Sequence, residues 1–502
     1  MPSLSQPSGS GTIRPGQILV IVCAGVVMAS LDLFIVNVAL PQIARDLHEP
    51  SLGTLSWVLN GYAIIYAALL VLFGRLADQR NRKAGFLLGV AVFTAGSAAC
   101  GAAASVPMLI AFRLVQAAGA ALLTPTSLSL VLASYPAERR GGAVRAWTAA
   151  GGMAAALGPV IGGLLVAASW RWVFFVNVPI GLAALLIGWR KLPDVAGHPG
   201  PRPDALSALL VTIGVGGLAL GLVRGDAWGW GSARTVGVLV AAGVFLGLFA
   251  LHCLRHRNPL VPPQLFRVRA FSGASLAMLL FSVAFGAMLL SSVLWLQDAW
   301  GWSALKTGFG VAPGPIMVPL FTFLVTGRVL VRYGAAVVIA TGSAVFAAGN
   351  VWWAIAVHSQ PDYLMILPGM LLTGIGVGLT LPSLMSTAAS SLPPPSFATG
   401  SAVVNMLRQV GFAVGVAMVV AVLGSPHGAA AELVAFRNVR YATAAVAAGA
   451  ALAAVTLRRG SVWPAFFRRS APDRSAALAP AQSGFPPSPS SGLAPVASAE
   501  QE

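Results

Sequence analysis

The sequence predicts an all-α integral membrane protein of fourteen spans, and three observations carry that prediction. Of 502 residues, 57% are hydrophobic and only 9% charged, with a mean hydropathy of +0.82. A soluble domain carries about 25% charged residues, so this chain has too few polar groups to cover a water-facing surface. Apolar runs of about twenty residues, the length of a bilayer-crossing helix, recur along the chain. Most of the 31 Lys and Arg residues fall in every second loop between those runs, the asymmetry that marks cytoplasmic loops.

The runs lie near 17–39, 54–73, 85–104, 107–132, 143–168, 173–190, 206–223, 234–254, 271–296, 306–331, 335–357, 363–386, 399–423 and 438–457. They are too long for barrel strands, which need only about ten alternating residues. The run at 306–331 is interrupted by Pro313, Pro315 and Pro319, and its junction with the next falls near Gly334. An even number of spans puts both termini on one side, and the basic loops make that side the cytoplasm. GRLADQRNRKAG from Gly74 and GRVLVRYGAA from Gly327 occupy matching places if runs 1–6 and 9–14 are related blocks. Such repeats are common in transporters, with the site near the midplane between them. The expected organisation is a polar cytoplasmic tail at 1–16 and a six-helix bundle at 17–190. Two inserted helices and a basic cytoplasmic loop follow at 191–270, then a second six-helix bundle at 271–457. A disordered cytoplasmic tail rich in Pro, Ser and Ala closes the chain at 458–502.

The net charge of +17 is dispersed over short loops, which argues against nucleic acid as a partner. Cys23, Cys100 and Cys253 lie inside apolar runs and read as small buried hydrophobes rather than disulfide or metal ligands. The sequence holds no P-loop, HExxH or GxSxG and no soluble segment large enough for an ATPase. Neither enzymatic activity nor a cofactor or metal is expected, and energy must come from an ion gradient or the substrate's own.

Polar residues inside apolar runs carry the chemistry. Asp32 lies about seven residues from the outer end of the first run, roughly 10 Å below the surface, where a charge costs on the order of 3 kcal/mol. A bound proton removes that cost, so Asp32 reads as a proton carrier. Arg113 and Gln116, three apart in the fourth run, share a helix face. Arg113 falls at nearly the depth of Asp32 and is its expected partner. Asn37, Asn60, Tyr66 and Gln116 are candidates for lining a substrate cavity, with Asn405, Arg408 and Gln409 at i, i+3 and i+4 of the thirteenth run. Gly158, Pro159, Gly162 and Gly163 form a small-residue stripe lacking one helix hydrogen bond, suited to close packing and bending. Gly74, Asp78 and Arg82, in the loop after the second run, are gate candidates, with Asp78 expected to meet a helix N-terminus or an arginine. The turn WRWVFFVNVPIG (Trp170 to Gly181) reads as an aromatic belt at the outer surface.

Together these stretches resemble the major facilitator superfamily, in particular its fourteen-span drug:proton antiporter branch. LDLFIVNVALPQI resembles the branch's first-span motif, with Phe34 where threonine is usual, and RLVQAAGAAL its fourth-span motif. LGPVIGGLL resembles the antiporter motif of the fifth span, and WRWVFFVNVPIG the turn before the sixth. LWLQDAWGWSALKTG and NMLRQVGFAVGVA resemble stretches typical of its second half. The loop motif departs from the usual pattern, with Gln79 in place of Arg and Asn81 in place of Gly. Asn tolerates left-handed backbone, so the turn is expected to survive. The resemblance implies two six-helix bundles, alternating access, proton-coupled efflux and a plasma-membrane location.

The expected function is a proton-coupled secondary transporter, a monomer in the bilayer, that exports hydrophobic or cationic small molecules such as drugs and antibiotics. A dedicated exporter of one metabolite or self-made antibiotic is the alternative. A membrane receptor or enzyme lacks any matching constellation in the sequence.

Overall fold

The apolar runs fold as helices, and no strand occurs among the described residues. The structure is a computed structural model that describes residues 15–49, 51–79, 81–195, 204–392, 397–424 and 428–457. The chain divides into units at 1–461 and 462–502. The predicted C-terminal tail and all but the last two residues of the predicted N-terminal tail lie outside the described residues.

In the first half, α1 (Pro15–Asp46), α2 (Leu52–Gln79), α3 (Arg82–Gly101), α4 (Val106–Ser134) and α5 (Ala137–Ala168) precede the one-turn α6 (Trp172–Phe175) and α7 (Asn177–Lys191). The inserted pair is α8 (Ala205–Trp228) and α9 (Ala233–Arg255). In the second half, α10 (Arg269–Leu294) runs into a π-helical turn, Trp295–Ala299. The proline-rich run breaks into α11 (Ala304–Val311), α12 (Pro313–Phe321), a second π turn at Thr322–Thr326 and α13 (Gly327–Tyr333). Then come α14 (Ala335–Ala356), α15 (Tyr363–Ser390), α16 (Phe397–Leu423) and α17 (Ala429–Val455).

Local chemistry sets these boundaries. Side chains of Ser105, Asp204, Ser232 and Ser303 cap α4, α8, α9 and α11 by accepting a backbone N–H three residues on. Pro313 sits in the first turn of α12, where its missing N–H is tolerated, and Gly334 takes φ +80° at the α13–α14 junction. Thirteen stretches are long and apolar enough to cross a membrane, and α5, bent by 42° between Gly142–Ala154 and Leu157–Ala168, makes fourteen. Pro159 lacks the N–H that would bond the carbonyl four residues back, at that bend.

Within the first half, α3 packs on α4 and α7, α1 on α4, α5 and α7, and α2 on α4. Within the second, α10 packs on α15, α16 and α17, and α14 on α15 and α17. In lipid such packing rests on close backbone approach rather than on the hydrophobic effect. Gly119 illustrates it: a Cβ there falls 2.4 Å from the Phe93 backbone nitrogen. The halves meet where α2 runs along α16 and where α5 meets α11 and α12. Gln297 also donates to the Val38 carbonyl at 3.0 Å.

The inserted hairpin touches both halves through one helix. α8 packs on α2 and on α16, while α9 leans on α8 and leaves Val236, Val240, Val244 and Leu248 exposed. Asp204 fastens it. Its carboxylate accepts from the Ser207 hydroxyl, from Ser207 N at 3.0 Å and from Leu260 N at 3.2 Å, and lies 3.2 Å from His252 Nε2. Arg75 of α2 donates in turn to the Leu260 carbonyl. Burial of Asp204 opposes its charge, but the Ser207 and Leu260 donors outweigh burial and hold its pKa below the usual carboxylate range.

A folded-state value below the unfolded one, about 3.9, contributes stability above that value and loses it as pH falls through the folded value. Thermal unfolding of the wild type in detergent is therefore expected to lose stability below about pH 4. Asp204→Asn is expected to be about 1–3 kcal/mol less stable at neutral pH and flatter in acid. Parallel curves for the two proteins would remove Asp204 as the fastening.

Two expectations are corrected by the fold. α1 continues past the predicted end of the first run at residue 39 to Asp46, so the helix extends about 20 Å beyond Asp32. Pro41 is accommodated within α1, and Arg45 donates its Nε to the Pro41 carbonyl at 3.2 Å. The turn at Trp170 is no simple belt. Trp170 and Phe174 are wholly buried and only Trp172 of the three is exposed, while Arg171 donates to the carbonyls of Gly101 and Ala103.

Candidate functional site: a buried ion pair and the seam beside it

Asp32 lies in the middle of α1, wholly buried. Arg113 of α4, equally buried, donates Nη1 to Asp32 Oδ2. The other carboxylate oxygen accepts from Gln116 Nε2 at 2.9 Å and Asn177 Nδ2 at 3.2 Å. Arg113 also donates Nε to the Val58 carbonyl at 3.1 Å and Nη1 to Gln116 Oε1 at 2.6 Å, and its guanidinium lies 4.1 Å from the centre of the Tyr62 ring. Gln116 completes its bonds on Ser97 Oγ at 2.6 Å. Five helices, α1 to α4 and α7, thus converge on one carboxylate. Charge-assisted bonds of this kind are the strong ones.

The i, i+3 spacing of Arg113 and Gln116 does place both on one face, but Gln116 belongs to the ion-pair cluster and not to an open cavity wall. Asn177 and Ser97 were not among the sequence candidates. Asn177 is a lone amide within the otherwise apolar VFFVNVPIG, and that was the available signal.

The remaining cavity candidates fall into two sets. On α1 and α2, Asn37 turns its amide back to the Leu33 carbonyl at 3.2 Å, and Tyr66 shares a hydrogen bond with Thr124 Oγ1 at 3.0 Å. Asn60 is wholly buried, with neither side-chain polar atom partnered. On α16, Asn405 donates to the Ser401 carbonyl at 3.1 Å, and Gln409 is buried with its Oε1 unpartnered. Arg408 is half-buried there, within electrostatic reach of Tyr66 across the α2–α16 seam.

The glycine stripe of α5 serves two neighbours. A Cβ on Gly158 falls 2.7 Å from Phe34 Cβ, and one on Gly162 falls 3.0 Å from Ile35 Cγ1, so both glycines face α1. A Cβ on Gly163 falls 2.7 Å from the Ala304 carbonyl oxygen of α11. Reciprocally, a Cβ on Gly308 falls 2.5 Å from the Pro159 carbonyl oxygen. The unusual Phe34 has its own partner, Phe285 of α10, with ring centroids 5.9 Å apart.

At the predicted cytoplasmic end, Gly74 lies against Pro125 of α4. The side chain of Asp78 lies outside the described residues. The backbone N–H of Arg82 donates to the Val195 carbonyl at 3.0 Å, while its side-chain Nε is buried without a partner. Asn81 is extended (φ −67°, ψ 116°), not left-handed. It substitutes for glycine in another way, capping α3 through Ala84 N at 3.1 Å and donating to Asp194 at 3.0 Å.

Helices that cross a membrane, a carboxylate–guanidinium pair buried in one half and a glycine-lined contact between halves define a polytopic membrane transporter. Residues 22–416 match the sequence profile of the Major Facilitator Superfamily. The chain is 32% identical over 417 residues to the tetracenomycin C resistance and export protein of Streptomyces glaucescens, covering 83% of this chain and 77% of that one. It is 34% identical over 406 residues to the methylenomycin A resistance protein of Bacillus subtilis (strain 168), covering 80% and 86%. In fold it is similar to a bacterial homologue of the human lysosomal transporter Spinster, with a TM-score of 0.65 at 17% identity over 90% of this chain and 98% of that one. The chain belongs to the Major Facilitator Superfamily.

Proposed function

We propose that this transporter exports small hydrophobic molecules of drug or antibiotic type in exchange for protons. It works as a monomer in the plasma membrane, with both termini cytoplasmic and with no cofactor or enzymatic step. The observation that carries the reading is Asp32, a carboxylate wholly buried in a span and held by Arg113, Gln116 and Asn177. Protonation of Asp32 weakens its bond to Arg113 and so loosens α1 from α4, a two-state element that a proton biases. α1 also carries Phe34 and Val38, which touch α10 and its π turn, so loosening α1 reaches the other half. The relatives' names, each tied to one antibiotic, make antibiotics the first substrates to test.

The test uses inside-out vesicles containing the full chain, energised by an acidic lumen. Dye or antibiotic accumulation is expected to follow the pH gradient and to collapse on adding a protonophore. Accumulation indifferent to the protonophore would refute proton coupling.

A further inference from the structure

Arg113, Arg408 and Arg440 lie at depth within the spans, and the structure treats them differently. Arg113 has a carboxylate and an aromatic face. Arg440 of α17, 4% exposed, donates Nη2 to Ser292 Oγ at 3.1 Å and lies 4.3 Å from the centre of the Trp353 ring. Arg408 of α16 has neither a hydrogen-bond acceptor, a carboxylate nor a ring beneath it among the described residues. A guanidinium in that position is expensive unless something compensates it. Its side chain is half-buried, not sealed. It stands midway along α16, at the seam where the two halves meet and opposite Tyr66 of α2.

The other charge near the midplane does not compensate it. Both oxygens of Asp32 are taken by Arg113, Gln116 and Asn177. Both polar atoms of Asn60 on α2 and Oε1 of Gln409 on α16 are among the buried polar atoms without partners. Each is a hydrogen-bonding site that the protein itself leaves unfilled, and buried polar groups are ordinarily filled.

We infer that Arg408 is the anchor for an anionic group on the transported molecule. The substrate class is therefore hydrophobic acids, bearing a carboxylate, phenolate or sulfonate on an apolar ring system. This inference rests on the export reading above and names the charge of what is exported. The guanidinium supplies paired N–H donors to the anion in a half-buried seam, and charge-assisted bonds of this kind are the strong ones. The apolar body packs along α2 and α16.

The test pairs two xanthene dyes of opposite charge. Proteoliposomes with an acidic lumen are loaded with carboxyfluorescein or with rhodamine 6G, and the dye retained is measured after filtration and lysis at fixed pH. The wild type is expected to accumulate carboxyfluorescein in preference to rhodamine 6G. Arg408→Gln is expected to lower that accumulation by about tenfold or more, the loss of one charge-assisted contact. Arg408→Lys keeps the charge and is expected to retain part of it, whereas Arg440→Gln leaves it unchanged. Anisotropy of carboxyfluorescein added to purified protein in detergent reports binding without transport. A wild type that carries rhodamine 6G and neither carries nor binds carboxyfluorescein overturns the anionic class and leaves the export reading standing. Carboxyfluorescein transport that Arg408→Gln leaves intact overturns Arg408 as the anchor. A wild type that neither carries nor binds carboxyfluorescein overturns the anionic class whatever it does with rhodamine 6G, whereas the export reading falls only on the protonophore test above.

Discussion

Asp32→Asn is expected to reduce proton-driven export to the leak of empty vesicles while the protein still inserts. Asn keeps an oxygen for Gln116 and Asn177 but carries no charge and no exchangeable acid proton. It leaves Arg113 as a buried cation without its carboxylate. Removing one partner of such a pair costs about 3–5 kcal/mol, so the single variant is also expected to unfold at lower temperature. Asp32→Asn combined with Arg113→Gln separates the two effects. The charge-free double variant is expected to regain much of the lost stability, because buried ion pairs exchanged whole for neutral groups are often near neutral in stability. It is not expected to regain transport. Protonophore-sensitive accumulation at wild-type rate in Asp32→Asn would remove Asp32 from the coupling step.

Gly308→Val is the second large effect, and it acts on movement rather than on the proton. A Cβ at Gly308 falls 2.5 Å from the Pro159 carbonyl oxygen and 3.1 Å from Gly163 Cα. Both neighbours are backbone atoms, so neither can rotate away. Overpacking of this sort costs about 1–3 kcal/mol, charged only to states in which α5 and α11 touch. The variant is expected to fold, to lose export, and to favour states in which the two helices are parted. The readout is a cysteine at Val38, placed in a background where Cys23, Cys100 and Cys253 are replaced. Val38 is wholly buried beside Gln297. A membrane-impermeant maleimide is expected to label it faster when Gly308 is Val. Unchanged labelling with unchanged export would show that the contact is not a closing surface.

The membrane fold and the ion pair were legible in the sequence for the same reason. Charge within an apolar span is rare because it is expensive, so Asp32 and Arg113 stood out, and their helical spacing from the span ends brought them to similar depth. Asn177 and Ser97 were not legible, because small neutral polar residues are common in spans and their partners are set only by tertiary packing. The end of the first helix was placed too early because Pro41 and Arg45 resemble the end of a span, whereas the helix passes through both. The glycine stripe was visible, but its division was not. Which glycine faces α1 and which faces α11 depends on a contact between residues far apart in sequence. Asn81 was expected to replace glycine by backbone conformation and does so by capping instead, with a partner, Asp194, that only the fold supplies.

The inserted hairpin bears on how a hydrophobic substrate arrives. α8 lies along the furrow between α2 and α16, with Val223 against Gly53, and α9 covers its outer side. A molecule dissolved in acyl chains and diffusing in the plane of the bilayer therefore meets a plugged lateral portal on that flank. On another flank Gly163 and Gly308 bring the backbones of α5 and α11 together. A parting of those two helices is expected to open that flank to a lipid-soluble molecule from the bilayer. The two extra helices thus make the protein asymmetric toward its own membrane.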